Sequence, residues 1–153
     1  MRPARPPIGL QLTRAARSIG RAFDDALAAA GGSLPTWLVL LSMKSHNAGS
    51  QRELAEAVGV REATLTHHLN ALETAGLITR RRDPANRRIH IVELTRAGDE
   101  MFGRLRAVAS AFDQRLRRDV GDEDIARLRN LLDRLAANVG AELADSAPWT
   151  ELG

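Results

Sequence analysis

Ser50-Gln51-Arg52-Glu53-Leu54-Ala55-Glu56-Ala57-Val58-Gly59, followed after Val60 by Arg61-Glu62-Ala63-Thr64-Leu65-Thr66-His67-His68-Leu69-Asn70-Ala71-Leu72-Glu73-Thr74-Ala75-Gly76, reads as two helices joined by a tight turn. Ser50 with Glu53 three residues on has the spacing of a capping box, in which each side chain satisfies the other residue's backbone N–H. Leu54, Ala57 and Val58 supply an apolar face, and Gly59 can take the left-handed conformation that stops the helix. The second helix is expected from about Arg61 to Thr74, with Leu65, Leu69 and Leu72 at helical spacing and Gly76 closing it. Leu77-Ile78-Thr79-Arg80 and Ile89-His90-Ile91-Val92-Glu93-Leu94 then read as two strands, with Arg81-Arg82-Asp83-Pro84-Ala85-Asn86-Arg87-Arg88 as the loop between them.

Helix, turn, helix and basic hairpin in that order form a winged helix-turn-helix. Such a helix pair presents its second helix to the major groove of DNA, and a basic hairpin loop can reach a neighbouring minor groove. Net charge is only +3, so overall charge says little about nucleic acid, but residues 80 to 88 hold five arginines against one aspartate. That local excess attracts a phosphate backbone. An isolated run of this kind reads as a solvated loop; its place after a helix pair is what gives it weight. The 22 basic residues are 21 arginines and Lys44, a skew that a GC-rich genome also produces.

Working outward, Ile8, Leu12, Ala16, Ile19, Phe23 and Leu27 form one apolar stripe of a helix over residues 8 to 30, ended by Gly31-Gly32-Ser33. Pro35 suits the first turn of the next helix. Trp37 to Met43 is apolar nearly all round, as expected of a helix in the middle of a fold, and Asn47-Ala48-Gly49 links it to Ser50. Past the hairpin, Thr95 caps a long helix to about Arg118 with the stripe Phe102, Leu105, Ala109, Phe112 and Leu116. Gly121-Asp122 restarts the chain into a last helix over about 123 to 144, carrying Ile125, Leu128, Leu131, Leu132, Leu135, Val139 and Leu143. The tail with Pro148 and Trp149 reads as irregular. The expected fold is mainly α with a small β-hairpin wing. Residues 1–34 supply an arm and dimerisation helix, 35–95 the winged helix-turn-helix, and 96–153 C-terminal dimerisation helices. Three long stripes exceed what one small domain can cover, and a homodimer with interleaved terminal helices buries them. A monomer folding its helices back on one another is the plainer arrangement.

The quoted stretches resemble the MarR-type bacterial transcription regulators along nearly the whole chain. The resemblance rests on Gln51-Arg52-Glu53-Leu54-Ala55, Ala63-Thr64-Leu65-Thr66, Leu72 to Arg80, Asp83-Pro84-Ala85-Asn86-Arg87-Arg88 and Leu94-Thr95-Arg96-Ala97-Gly98 in this order and spacing. It implies dimerisation through the chain ends, DNA binding, and a small aromatic acid or phenolic ligand near the junction of the two parts. One departure stands out: the family's wing usually carries Asp-x-Arg, and here the triplet is Asn86-Arg87-Arg88. A neutral amide orients an arginine less well than a carboxylate does.

The second helix offers Glu62, Ala63, Thr66, His67 and Asn70 opposite its core face, with Arg61 and Thr64 at the margins. Asparagine can read adenine through two hydrogen bonds, and threonine can bond a base or touch a thymine methyl. Many relatives have arginine at position 67; His67 is shorter and only partly charged near neutrality, which weakens guanine readout. His68 lies between faces and reads as packing or bonding backbone. Glu62 repels phosphate and can accept from a cytosine amine or steer an arginine. Arg87 and Arg88 are the expected wing contacts, with Arg81 and Arg82 beside them and one arginine of the five held by Asp83. Ser50, Gln51 and Arg52 open the supporting helix, where N–H groups suit a phosphate. For a ligand, the candidates are Trp37, Leu41, Lys44 and His46 at the junction with Arg14, Arg17 and Arg21 beside it, an apolar wall with cations. The plainer reading of Trp37 is core packing.

The chain has 153 residues, 44% of them hydrophobic, enough for one domain with a core. No run approaches the roughly 18 apolar residues of a membrane span. Met1 to Pro7 is basic without a signal peptide's apolar centre and reads as a short arm, so a cytoplasmic protein without a membrane partner is expected. With no cysteine, thiol-based oxidation sensing is excluded. There is no His-Glu-x-x-His, phosphate loop or Gly-x-Ser-x-Gly, and His46, His67, His68 and His90 show no ligand spacing. No enzyme activity, cofactor or metal is expected. Two rivals remain beside a ligand-released repressor: a DNA-binding regulator without a ligand, and a helical protein-interaction module whose basic wing binds an acidic partner.

Overall fold

The computed structural model describes residues 5–45 and 50–141. Its elements run α1 (Ile8–Ala29), α2 (Leu34–Ser45), α3 (Gln51–Val58), α4 (Glu62–Thr74), β1 (Ile78–Arg82), β2 (His90–Leu94), α5 (Arg96–Leu116) and α6 (Asp122–Asn138). Asn47-Ala48-Gly49, His46, Leu143 and Trp149 lie outside the described residues.

Local chemistry places the helix ends. Ser50 Oγ accepts from Glu53 N–H at 3.2 Å while Glu53 Oε2 accepts from Ser50 N–H at 3.0 Å, the expected capping box of α3. Thr95 Oγ1 accepts from Gly98 N–H at 3.0 Å and so caps α5. It also donates to Gly76 O at 2.6 Å, tying the end of α4 to the start of α5. Gly98 is required there, because a Cβ would lie 2.0 Å from the Leu77 carbonyl oxygen. The last helix is shorter than its apolar stripe suggests. Gly140 is left-handed (φ 72°), and Ala141 N–H closes back on Ala136 O at 3.0 Å, a Schellman turn that ends α6 at Asn138 rather than near residue 144.

The hairpin also departs from expectation. β1 starts at Ile78 and runs on through Arg81 and Arg82, and β2 starts at His90, with antiparallel register Ile78↔Leu94, Arg80↔Val92, Arg81↔Ile91 and Arg82↔His90. Two arginines read as loop are therefore strand. Their charge made them look like a solvated turn, but an exposed strand face accepts such side chains as long as the backbone ladder is made.

The core is built around α2, which is buried at Trp37, Val39, Leu40, Leu41 and Ser42 and packs on α1, α3, α4, α5 and β2. Ser42 is fully buried, and its hydroxyl donates to Leu38 O at 2.7 Å. Leu54, Leu65, Leu69, Leu72, Ile78, Val92 and Leu105 complete the cluster. Trp37 stacks on Phe102 with ring centroids 5.7 Å apart and planes 13° apart. Phe23 of α1 meets Phe112 of α5 at 5.0 Å. By contrast α6 buries no residue, and Leu128, Leu131 and Val139 are 49%, 51% and 80% exposed. Ile8, Leu10 and Ile19 of α1 and Leu116 of α5 are exposed as well. Among the described residues no single helix is long and apolar enough to cross a membrane.

Candidate nucleic-acid interface

Helix α4 turns Leu65, Leu69 and Leu72 into the core and leaves Arg61, Glu62, Ala63, Thr64, His67 and Asn70 exposed. Thr66 does not join that outer face. It is half-buried, its hydroxyl donates to Glu62 O at 2.9 Å, and it accepts from Gln51 Nε2 at 2.6 Å. With both roles taken, the hydroxyl braces α3 against α4 instead of pointing at a partner. Gln51 is spent on the same brace, and its Oε1 is buried with no hydrogen bond from the described residues. Ser50 is committed to its cap and pairs with Ile91 in an isolated bridge, joining α3 to the wing. Arg52 is exposed and forms an i,i+4 pair with Glu56 at 3.3 Å. The His67 and His68 rings lie 5.9 Å apart at the surface of the helix, His68 partly covered.

The five arginines of the wing divide into two sets. Arg80 is held by Glu73, with Nε and Nη2 both donating to Oε2 at 3.0 and 2.5 Å, and Nη2 also donates to Asn70 Oδ1 at 2.5 Å. The Arg80 hydrogen bond to Glu73, with the guanidinium's positive charge, holds the Glu73 carboxyl below its ordinary range. Arg81 forks onto Glu93 across the hairpin at 3.1 and 3.3 Å. The pair lowers the Glu93 carboxyl and raises the Arg81 guanidinium, in both cases first through the hydrogen bond. Among the described residues Asp83 forms no ion pair with an arginine, contrary to expectation. Its Oδ1 accepts from Ala85 N–H at 2.8 Å, and its own N–H donates to Ile89 O at 2.9 Å. A short carboxylate at a strand end caps the turn more easily than it reaches a long side chain. Asn86 does likewise, its Oδ1 accepting from Arg88 N–H at 3.2 Å, so the amide shapes the backbone of the wing tip and leaves the guanidinium unheld. Arg82, Arg87 and Arg88 are exposed and form no ion pair among the described residues. Among the described residues the hairpin, whose strand β1 packs on α4, thus carries three arginines without an ion pair.

Of the junction residues, Trp37 and Leu41 belong to the buried core. Trp37 is 3% exposed and Leu41 1%. Lys44 pairs with Asp99 at 2.5 Å and sits 5.7 Å from the Phe102 ring centre, so its charge is answered. Arg14, Arg17 and Arg21 are exposed along α1. A concavity of about 340 Å³ lies elsewhere, between α1 and α5, lined by Ser18, Ile19, Ala22, Phe112, Arg115 and Leu116. The Arg115 guanidinium lies 5.3 Å from the centre of the Phe112 ring. Phe112 and Leu116 were legible only as stripe positions; their meeting with Ile19 and Ala22 depends on how α1 crosses α5.

A helix pair that displays α4 beside an arginine-tipped hairpin defines a winged helix-turn-helix protein. Residues 33–90 match the model of the MarR family. The chain is 32% identical over 103 residues, 67% of its length, to the uncharacterized HTH-type transcriptional regulator YdgJ of Bacillus subtilis (strain 168), and spans 63% of that relative. It resembles the transcriptional repressor CouR bound to a 23-mer DNA duplex with a TM-score of 0.75 at 30% identity, covering 85% of this chain and 92% of that one. It resembles MarR with a TM-score of 0.67 at 29% identity, over 88% and 98% of the two chains. The chain belongs to the MarR family of transcriptional regulators.

Proposed function

We propose that the protein is a cytoplasmic, homodimeric repressor that binds an inverted-repeat DNA site and is released from it by a small aromatic acid or phenol. The observation that carries the DNA reading is that Arg82, Arg87 and Arg88 form no ion pair among the described residues, on a hairpin whose β1 packs on α4, which itself exposes Arg61, Ala63, Thr64, His67 and Asn70. Unpaired cations next to a helix face can neutralise phosphates while the helix meets base edges. CouR, similar over most of both chains, is a repressor seen on DNA, which supports the same role here. The dimer is supported by α6, a helix with an apolar stripe and no buried residue. Two-fold symmetry then favours half-sites about one turn, roughly 10 bp, apart.

At the junction Trp37 and Leu41 are buried and Lys44 is paired with Asp99. The concavity between α1 and α5 pairs an apolar wall of Ile19, Ala22, Phe112 and Leu116 with the Arg115 cation, which suits an aromatic carboxylate. A ligand seated there weakens DNA binding only if it prefers one spacing of the two α4 helices. The experiment is a gel shift of the protein with a random duplex pool and then with the selected inverted repeat, with and without a panel of aromatic acids and phenols. Retarded repeat, released by one of these compounds, is the expected result. Retardation that no compound alters leaves a regulator working by occupancy alone. No retardation at low salt favours a module for an acidic protein partner.

A further inference from the structure

Asn70 stands on the exposed face of α4, and its amide is not free to turn. Arg80 Nη2 lies 2.5 Å from Asn70 Oδ1. A guanidinium only donates, so the amide atom facing it must be the oxygen. The opposite edge, Nδ2 with its two hydrogens, is thereby directed away from β1. Arg80 is itself fixed, because Glu73 Oε2 takes both its Nε and Nη2 and its backbone is paired with Val92 in the hairpin. Arg80 is also the most covered of the ion-paired arginines, its side chain 21% exposed.

The consequence is chemical. Reading adenine with two hydrogen bonds needs the oxygen and the nitrogen of one amide on the same base edge, the oxygen accepting from N6 and the nitrogen donating to N7. With the amide's rotation fixed and its oxygen engaged by Arg80, the group it turns outward is the Nδ2 donor. In the major groove guanine (O6 and N7), thymine (O4) and adenine (N7) each offer an acceptor to such a donor, whereas cytosine offers only its amino group.

Resting on the DNA-binding reading above, we propose that Arg80 is a positioning residue that makes Asn70 a donor-only reader, which rejects cytosine and gives adenine no preference over guanine or thymine at one position of each half-site. The two-bond adenine readout expected from asparagine alone is absent. Glu73 serves the same reading at one remove, since it keeps the guanidinium against the amide.

The test is selection from a randomised duplex pool, sequenced for the wild type, Asn70→Ala, Asn70→Asp and Arg80→Met, with circular dichroism of each. The wild type depletes cytosine at one half-site position without favouring adenine there, and Asn70→Ala flattens that position alone. Arg80→Met lets the amide turn, and adenine rises there on the order of tenfold, the discrimination of a good two-bond pair. Asn70→Asp keeps an acceptor for Arg80, so it folds, but turns a bare acceptor outward; preference moves to adenine or cytosine. A merely structural Arg80 would lower binding to all sequences and leave the preference untouched. An Arg80→Met preference identical to wild type, or an Asn70→Asp variant that still rejects cytosine, overturns the inference while leaving DNA binding intact. A wild type that enriches no sequence overturns the DNA reading and this inference with it.

Discussion

At the scale of single residues, Gly98 shows how a position with no chemistry of its own can govern a fold. A Cβ there would lie 2.0 Å from Leu77 O and 3.1 Å from Leu94 Cδ2. The carbonyl cannot move aside easily, since it accepts from Thr95 N–H at 3.1 Å. Gly98→Ala should therefore destabilise the protein by about 2 kcal/mol or more, as overpacking does. Gly103 lies in the same helix with nothing within 4 Å of its Cβ position. Gly103→Ala should stabilise by up to about 1 kcal/mol through helix propensity. Urea unfolding of the two variants side by side checks both signs; equal effects would show that the contact at Leu77 is relieved. Thr66 is the residue whose role changed most between sequence and structure. Helical spacing placed it outward with His67 and Asn70, yet its hydroxyl is consumed by Gln51 and Glu62. A threonine sits at the edge of a face, and a partner fifteen residues earlier in the chain decided which way it turned.

At the scale of elements, the hairpin separates structural from available charge. Arg88 is unpaired, so Arg88→Ala should weaken binding to every duplex alike and reduce the slope of log affinity against log salt by about one for each wing engaged. Arg81 is occupied by Glu93, so its loss should act on the hairpin as well as on charge. Titrating a selected duplex over a salt series distinguishes them; an unchanged slope for Arg88→Ala would place that side chain off the DNA. The acid response belongs to the same element. Glu73 and Glu93 are both lowered in the folded chain, first by hydrogen bonds from Arg80 and Arg81. A lowered carboxyl contributes stability that is complete above its unfolded value and is lost as pH falls through its folded one. Unfolding midpoints should accordingly fall on acidification below the ordinary carboxylate range, and Glu73→Gln with Glu93→Gln should flatten that fall. Both carboxyls are exposed and the effect is modest. An acid limb of equal steepness in the double variant would assign the loss to other carboxylates.

At the scale of the whole molecule, α6 is the feature that most needs a partner. Leu128 and Leu131 are about half exposed on a helix that buries nothing. Covering such a stripe removes apolar area worth roughly 25 cal/mol per Å². Light scattering should give twice the chain mass of 16.7 kDa. Leu128→Glu with Leu131→Glu should shift the species to a monomer or unfold it, and duplex affinity should fall with it. A wild type that is monomeric at micromolar concentration with full helicity would refute the dimer.

The sequence by itself determined the order of elements and most of their ends. A capping box, a threonine cap and an apolar period act within a few residues, so a linear reading captures them. It also carried the winged helix-turn-helix and the family, through the spacing of short motifs around that helix pair. Tertiary structure alone decided which arginines are ion-paired, which way Asn70 presents its amide, and that Trp37 stacks on Phe102 while Lys44 pairs with Asp99. Arg80 reaches Glu73 and Asn70 seven and ten residues back, Arg81 reaches Glu93 twelve ahead, and Lys44 reaches Asp99 from another helix. A charge in a sequence shows what a side chain can bind; only the packing of elements shows whether that capacity is already used.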